Sequence, residues 1–148
     1  MANLVFNIAL GKVASLAALP AANDGLVAVP LEAAGLVTDA TMRDYDDLAT
    51  LLAGASNEQT TMGRKTLTGV TVTVDDTNDR VAVDCADITW TSATGNAVGA
   101  VVICYDPDTT TGTDADLIPL TKHDVTMTPD GSSYTLTVSD FFRASSTA

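Results

Sequence analysis

The chain has 148 residues, which fits one domain because two separate cores would each bury too little apolar surface. Its 19 acidic residues outnumber its 7 basic ones and give a formal net charge of −12, which opposes binding to nucleic-acid phosphates. No apolar run approaches the roughly 20 residues of a membrane span, so we expect neither a nucleic-acid nor a membrane partner.

The N-terminal segment is apolar, but its secondary structure is ambiguous. Between residues 4 and 19 the apolar side chains fit a helix and a strand about equally, until Pro20 ends whichever forms. No basic residues precede the apolar stretch, so we expect synthesis in a reducing cytoplasm rather than secretion. A small β-domain would leave part of this segment uncovered, and we expect that part to pack on a neighbouring subunit. The interface candidates are Leu4, Val5, Phe6, Ile8 and Leu10.

The next two predicted elements are a strand and a helix. Residues Gly25–Glu32 form a short apolar strand, in which Pro30 favours an edge position because proline donates no ladder hydrogen bond. Residues Arg43–Ala53 form the best-defined predicted helix, with aspartates near its N-terminal end and apolar residues along one face. Gly54 suits the position after its last turn.

The rest of the chain is predicted to form strands separated by turns. Side chains alternate along residues 70–74, 80–84 and 134–138, which is the pattern of half-buried strands. The Pro129-Asp130-Gly131 turn closes the last hairpin, since proline pre-sets φ and glycine accepts a positive φ. The predicted strands are 25–32, 59–67, 70–74, 80–84, 87–91, 97–105, 117–120 and 134–138.

These elements predict a mainly β fold with a minor α component, a compact β-sandwich or barrel of about seven to eight strands with one or two short helices. Residues 1–143 would form one domain, with an extended N-terminal segment over residues 1–20, and residues 144–148 a flexible tail. Cys85 and Cys104 are most simply buried free thiols in a reducing compartment. The sequence leaves their pairing open, since a disulfide needs adjacent strands in register.

Few residues offer reaction chemistry. His123 is the only histidine, and Asp124 beside it would point to the other face of a strand, where it is badly placed to orient the ring. The sequence contains no phosphate-binding glycine loop and no nucleophile motif, and neither cysteine has a histidine nearby. We therefore predict no enzyme activity, no catalytic residue and no cofactor.

One group of acidic residues is ambiguous. Several carboxylates lie close together in the sequence, and calcium binds about six to eight oxygen ligands of this kind. Their spacing departs from the calcium helix-loop-helix pattern, and Asp, Thr and Gly are also the usual components of hairpin loops. We predict solvated turns, with a calcium site as the alternative. The candidate ligands are Asp106, Asp108, Asp114 and Asp116.

Several short motifs follow one another along the last two thirds of the chain. They are Asp44-Tyr45-Asp46 before a Leu-rich segment, Glu58 followed by Arg64, Asp87-Ile88-Thr89-Trp90, Val101–Asp108, Thr113–Leu120, Thr128-Pro129-Asp130-Gly131 and Phe141-Phe142. With these motifs the chain resembles, from Asp44 to Phe142, small virion structural proteins of tailed bacteriophages, especially actinobacterial phages. The resemblance is to the capsid decoration or minor capsid type. The motifs are structural, and none is a catalytic signature.

The resemblance implies a non-enzymatic virion protein that is made in the cytoplasm of the host bacterium. In its leading form it lies on the capsid exterior, stabilises contacts between major capsid subunits, and forms a homo-oligomer such as a trimer. The net charge of −12 fits a position away from packaged DNA, or serves only solubility. Phe141 and Phe142 join the N-terminal residues as interface candidates. The alternatives are a tail or head-to-tail connector subunit, and a surface-displayed glycan- or calcium-binding module.

Overall fold

A computed structural model describes residues 3–54 and 56–146. Strands hold 36% of the described residues and helices 13%, so the predicted mainly β class is confirmed. The strands are β1 (Leu4–Val5), β2 (Gly25–Glu32), β3 (Lys65–Thr66), β4 (Thr71–Asp75), β5 (Arg80–Asp84), β6 (Ile88–Trp90), β7 (Val98–Asp106), β8 (Ile118–Met127), β9 (Tyr134–Leu136) and β10 (Phe142–Ser145). The helices are a 3-10 turn at Asn7–Ala9, α1 (Val13–Ala17), α2 (Asp39–Met42) and α3 (Leu48–Ala53).

Within the described residues the strands form three sheets, in which every pairing is antiparallel. The first sheet has the order β1-β8-β7-β2-β3, the second has the order β10-β5-β4, and the third pairs β6 with β9. The hairpin predicted around Pro129-Asp130-Gly131 is therefore wrong, because β9, which follows this turn, pairs with β6 while β8 pairs with β1 and β7. β1 and β10 are additional to the predicted strands, and β3 keeps only Lys65–Thr66 of the strand predicted over residues 59–67. Buried apolar side chains from all three sheets and from the helices form one continuous core.

Strand β7 lies in the middle of the first sheet, between β2 and β8. It is an almost unbroken apolar run, and every side chain from Ala100 to Tyr105 is buried, whichever face it points to. A strand that is covered on both faces requires such a run without alternation. β7 is therefore the strand around which the rest of the fold is packed.

Pro30 does not mark an edge strand, contrary to the expectation from sequence. β2 lies between β7 and β3, but β3 pairs only with Val27 and Ala28. Further along β2 the side away from β7 faces a loop, where the Pro30 carbonyl accepts a hydrogen bond from the Gln59 N–H at 2.9 Å. The missing proline N–H therefore interrupts no ladder at this point.

The helix predicted over Arg43–Ala53 is confirmed only from Leu48 to Ala53, which is α3, because α2 ends at Met42 and residues 43–47 are not helical. Asp47 has an extended backbone, with a φ of −145°, and its carboxylate accepts a hydrogen bond from the Thr50 N–H at 2.7 Å. This is the geometry of a helix N-cap, so Asp47 begins a helix. Gly54 ends α3 with a φ of −83°, and a side chain there would collide with the Tyr45 ring.

Both ends of the described chain are built into the fold. β1 pairs with β8, and α1 contacts β4 and β5, so residues 3–19 lie on the body of the protein instead of extending from it. At the other end β10 pairs with β5. Ala144 and Ser145, which the sequence placed in the tail, are strand residues because the edge of β5 offers them a pairing partner.

Candidate functional site

The N-terminal interface candidates are mostly covered by the protein itself. Phe6 is fully buried in the core, and Leu4, Val5 and Ile8 are half-buried against it. The pairing of β1 with β8 brings this segment onto the body of the protein. Leu10 is the exception, because 61% of its surface is exposed. Leu10 is therefore the N-terminal candidate whose side chain stays accessible on the surface.

The two C-terminal interface candidates contribute to the protein's own packing. Phe141 is buried, and its ring meets the His123 imidazole edge to face, with the ring centroids 6.4 Å apart. Phe142 is half-buried and opposes Val83 in the second sheet. In this conformation both phenylalanines stabilise the subunit itself.

Sequence reasoning missed an exposed apolar edge on the second sheet. Val74, on β4, is 73% exposed. β4 is an edge strand, and in the described part of the chain it pairs with β5 alone. An edge strand with unpaired backbone groups and an exposed valine is a surface to which another chain can add. Alternation along residues 70–74 predicted the strand, but it carries no information about which edge stays open.

The acidic calcium candidates do not converge on one point. Asp108 accepts a hydrogen bond from the Thr110 N–H at 3.0 Å, and Asp116 accepts one from the Thr113 N–H at 2.8 Å. Asp106 accepts one from the Asp108 N–H at 3.1 Å. Hydrogen bonds, above all from the Thr110 hydroxyl, hold the pKa of Asp108 below its usual range. Across residues 3–54 and 56–146, no three His, Cys, Asp or Glu side chains are grouped as a metal site requires.

Asp114, the fourth candidate, binds Arg64. The Arg64 guanidinium donates to both oxygens of Asp114, at 2.6 and 3.0 Å, and to both oxygens of Glu58, at 2.8 and 2.7 Å. The hydrogen bonds to Glu58, and then those to Asp114, raise the pKa of Arg64, while Arg64 lowers the pKa of Asp114. We call these three residues the Arg64 clamp. Bidentate contacts fix the geometry of both partners. The clamp therefore holds in place the loop between β7 and β8, residues 107–117, which we call the acidic loop.

A second charge cluster lies on β8, where sequence reasoning placed none. Lys122 is fully buried, and its Nζ lies 2.7 Å from Asp39 Oδ1 and 2.6 Å from Asp124 Oδ1. Asp39 belongs to α2, whereas Asp124 lies two residues beyond Lys122 on β8. We call these residues the Lys122 cluster. A buried ammonium requires such partners, since removing one partner of a buried pair costs roughly 3 to 5 kcal/mol.

His123 faces a groove rather than an orienting carboxylate. Its Nε2 lies 2.9 Å from Thr121 Oγ1, and the Asp124 carboxylate contacts Lys122. Burial lowers the pKa of His123, the charge of Lys122 lowers it further, and Asp124 acts in the opposite direction. A lowered pKa makes the imidazole a weaker general base than an ordinary histidine. The groove has a volume of about 230 Å³, and its apolar walls are Val101, Ile103, Val125, Leu136, Val138 and Phe141.

Both cysteines are free thiols that are buried in the protein. Cys85 directly follows β5 and Cys104 lies in β7, so they belong to different sheets. Burial raises the pKa of Cys85 to about 11, and it also raises the pKa of Cys104. A thiol that stays protonated is a poor nucleophile and a poor metal ligand.

Other motif residues noted in the sequence make contacts that stabilise the fold. Trp90 is buried, and its Nε1 donates to the Gly63 carbonyl at 2.9 Å. Asp87 accepts a hydrogen bond from the Val138 N–H at 2.9 Å. Asp130 accepts one from a backbone N–H at 3.0 Å in the turn that follows β8. These side chains connect segments that are distant in sequence or close a turn.

Gln59 is a buried residue that sequence reasoning also missed. Its side-chain amide donates to the Asn96 carbonyl at 2.9 Å and accepts from the N–H groups of Thr61 and Met62, at 2.9 and 3.2 Å. Gly95 has a φ of +102°, and a side chain there would collide with this amide. Gln59 therefore joins two loops. The loop that contains Gly95 can approach the Gln59 amide this closely because glycine has no side chain.

Comparison with protein-family models, with curated proteins and with solved structures finds no match for this chain. In the described part of the chain α3 is the longest helix, with six residues, and no helix there is long enough to cross a membrane.

Proposed function

We propose that the chain is a non-enzymatic structural subunit of a tailed-phage virion. In its most concrete form it is a decoration or minor capsid protein that lies on the outer shell and stabilises contacts between major capsid subunits. The resemblance from Asp44 to Phe142 supports this proposal, because its motifs belong to virion components. The positions that carry the resemblance make internal contacts, as the Arg64 clamp and Trp90 illustrate.

The burial and the shifted pKa values of Cys85, Cys104 and His123 support the non-enzymatic part of the proposal. The thiols of Cys85 and Cys104 are buried, with pKa values raised by that burial. His123 is half-buried, its pKa is lowered, and its ring contacts Thr121 and Phe141. A catalytic nucleophile needs access to substrate and a pKa near the working pH, and the two buried thiols have neither. His123 lines a groove, but its lowered pKa makes the imidazole a weaker base than an ordinary histidine.

The distribution of charge supports a position on the capsid exterior. Of the 7 basic side chains, four are held in ion pairs with the protein's own carboxylates; these are Arg64, Arg80, Lys122 and Arg143. The basic charge left to meet an external phosphate is small against the net charge of −12. Electrostatic repulsion would keep such a surface away from packaged DNA, and a major capsid protein is the partner that we propose.

We propose that apolar side chains exposed on the surface make the contacts with neighbouring chains. Leu10 lies near the N-terminus, and Val74 lies on the open edge of β4. One such contact is weak. A subunit that repeats it around a symmetric oligomer, such as a trimer, and across a capsid lattice gains stability from the number of contacts.

The copy number per particle tests this proposal. Quantitative mass spectrometry of purified particles, with the major capsid protein as the internal standard, should give on the order of hundreds of copies for a shell protein. A ring of about six or twelve copies would instead assign the chain to the tail or to the head-to-tail junction. Absence of the chain from purified particles would contradict the virion proposal altogether.

A further inference from the structure

We propose that Lys122 and Asp39 condense to form an intramolecular isopeptide bond, with Asp124 as the group that moves the protons. This inference concerns the chain itself and does not depend on the proposed function. It assigns a modification site to the Lys122 cluster, in which a fully buried amine touches two carboxylates.

The reacting groups are already in contact. Lys122 Nζ has no exposed surface and lies 2.7 Å from Asp39 Oδ1, an oxygen that is bonded to the carbon it would attack. The second carboxylate, Asp124, lies 2.6 Å from the same nitrogen. A nucleophile, an acyl group and a proton acceptor therefore meet at one point, where the amine is fully buried and the carboxylates of Asp39 and Asp124 are 21% and 26% exposed.

The surroundings favour an uncharged product. Lys122 opposes Val102 on β7 and Leu4 on β1, and Val102 is fully buried. Met42, which like Asp39 lies on α2, is also fully buried. A buried ion pair keeps two charges out of water at a high desolvation cost, whereas a neutral amide carries no such penalty. The lysine side of the finished bond would have no exposed surface.

The reaction balances without a further reactant. The ion pair consists of an ammonium group with three N–H bonds and a carboxylate. Asp124 takes a proton from Lys122, the free amine attacks Asp39 Cγ, and a new C–N bond forms. The C–O bond to one Asp39 oxygen then breaks, and this oxygen leaves with two of the former ammonium protons as one water molecule. Asp124 ends in its original state.

Asp39, rather than Asp124, is the acyl partner. Asp124 lies two residues from Lys122 on the same strand, so a bond between them would only close a small local ring. Asp39 is 83 residues away, on α2, and reaches the amine from another element. A bond to Asp39 fastens α2 to β8 covalently and leaves Asp124 placed for proton transfer.

The fold raises the rate at which the bond forms. Groups held together in a fixed geometry react as if they were present at effective concentrations of about 10⁵ to 10⁸ M. Proton transfer by a positioned carboxylate adds typically about 10²- to 10⁴-fold to such a rate. We therefore expect the bond to form spontaneously once the chain has folded.

The test is the mass of the purified full-length protein under denaturing conditions. We expect a mass one water below that calculated from the sequence. Trypsin cuts after Lys and Arg, so the bond should join peptide 13–43 to an uncut peptide 81–143. Fragmentation of this branched peptide locates the bond at Asp39 and Lys122.

Variants separate this bond from other losses of water. Lys122→Ala and Asp39→Ala should have the full mass calculated from their sequences. Asp39→Asn should reach the same cross-linked mass as the native chain, because the amide loses ammonia where the acid loses water. Asp124→Ala keeps both bonded residues and should slow the reaction by the roughly 10²-fold or more that proton transfer contributes.

Two results would overturn the proposal. The first is a native chain that keeps its full calculated mass after folding and prolonged incubation. The second is a loss of water that persists in Lys122→Ala, which would assign it to a cyclised aspartate elsewhere. Since the peptide map of the native chain decides the question, the test does not depend on whether the variants fold.

Discussion

Arg64 holds both carboxylate oxygens of Asp114, at 2.6 and 3.0 Å, across 50 residues of chain. The same guanidinium holds Glu58, so three side chains connect the segment before β3 to the acidic loop before β8. This clamp explains two features that the sequence shows separately, the Glu58 and Arg64 pair and the acidic loop. The guanidinium of Arg64 therefore holds the acidic loop in place.

Replacing Arg64 with Met should destabilise the protein. The change leaves Glu58 and Asp114 facing each other without a positive charge, and Glu58 has only 13% of its side chain exposed. Because the clamp is partly exposed, we expect a loss of about 1 to 2 kcal/mol in the free energy of unfolding, less than for a fully buried pair. Urea unfolding measures this loss.

Arg143→Ala is the matched control for this experiment. It also removes one arginine from an ion pair, but the Arg143 side chain is 48% exposed where it meets Asp140. We expect it to change the unfolding free energy by less than about 0.5 kcal/mol. Equal losses of unfolding free energy in the two variants would mean that the clamp stabilises the protein no more than an exposed ion pair does.

Acid should weaken the fold in two stages. His123 has a folded pKa below its usual value of about 6.5, so the unfolded chain binds more protons, and stability falls as the pH drops below about 6.5. Asp114 also has a lowered pKa in the folded protein. Its contribution is complete above the unfolded pKa, near 4, and is lost as the pH falls through the folded value.

The variant His123→Gln separates the two stages. It should remove the decline in stability that starts near pH 6.5 and leave the one below about pH 4. Unfolding free energies measured from pH 8 to pH 3 in both proteins test this expectation. If the variant keeps the full slope between pH 6.5 and pH 5, His123 is not the group responsible.

The predictability of the fold differs between its strands. The bounds of β2 and β5 agree with those expected from sequence, because an apolar run and a regular alternation are local signals. β8 was expected only at residues 117–120, since the polar Lys122 and His123 interrupt its apolar pattern. Each of these two residues also contacts a partner from another part of the chain, Asp39 for Lys122 and Phe141 for His123.

The candidate site was harder to predict for the same reason. The Arg64 clamp and the Lys122 cluster each join residues separated by 50 or more positions, which no local pattern reveals. Burial of Phe6 and exposure of Val74 likewise depend on how the sheets pack. The acidic residues were visible in the sequence, but their role in turns depends on backbone N–H groups that composition does not show.

Polar substitutions at the exposed apolar positions should block assembly without unfolding the chain. Leu10→Asp and Val74→Asp change side chains that are 61% and 73% exposed, so we expect stability to stay within about 0.5 kcal/mol. Oligomer formation, followed by light scattering, and incorporation into particles should both fall. Phe6→Ala is the contrasting change, because it empties a fully buried site and should cost about 3 to 5 kcal/mol. Normal incorporation of both Asp variants into particles would contradict the proposed role of Leu10 and Val74 in contacts between chains.

The purified protein should have no turnover on cell-wall glycan or peptide. His123→Ala, and Asp108→Asn combined with Asp116→Asn, should change only stability or subunit association, because their side chains contact Thr121 or close turns. The assay compares product release by the native chain with release by these variants. Hydrolysis by the native chain that is lost in a variant would contradict the structural interpretation.

A reconstruction of the particle that carries this chain tests the central claim most directly. The account predicts density for the protein on the outer face of the capsid, across the joints between major capsid subunits, with its acidic surface turned away from the packaged DNA. Leu10 or the edge of β4 should lie in a contact with a neighbouring chain. Density for the protein in the tail tube, or in contact with the packaged DNA, would contradict the account.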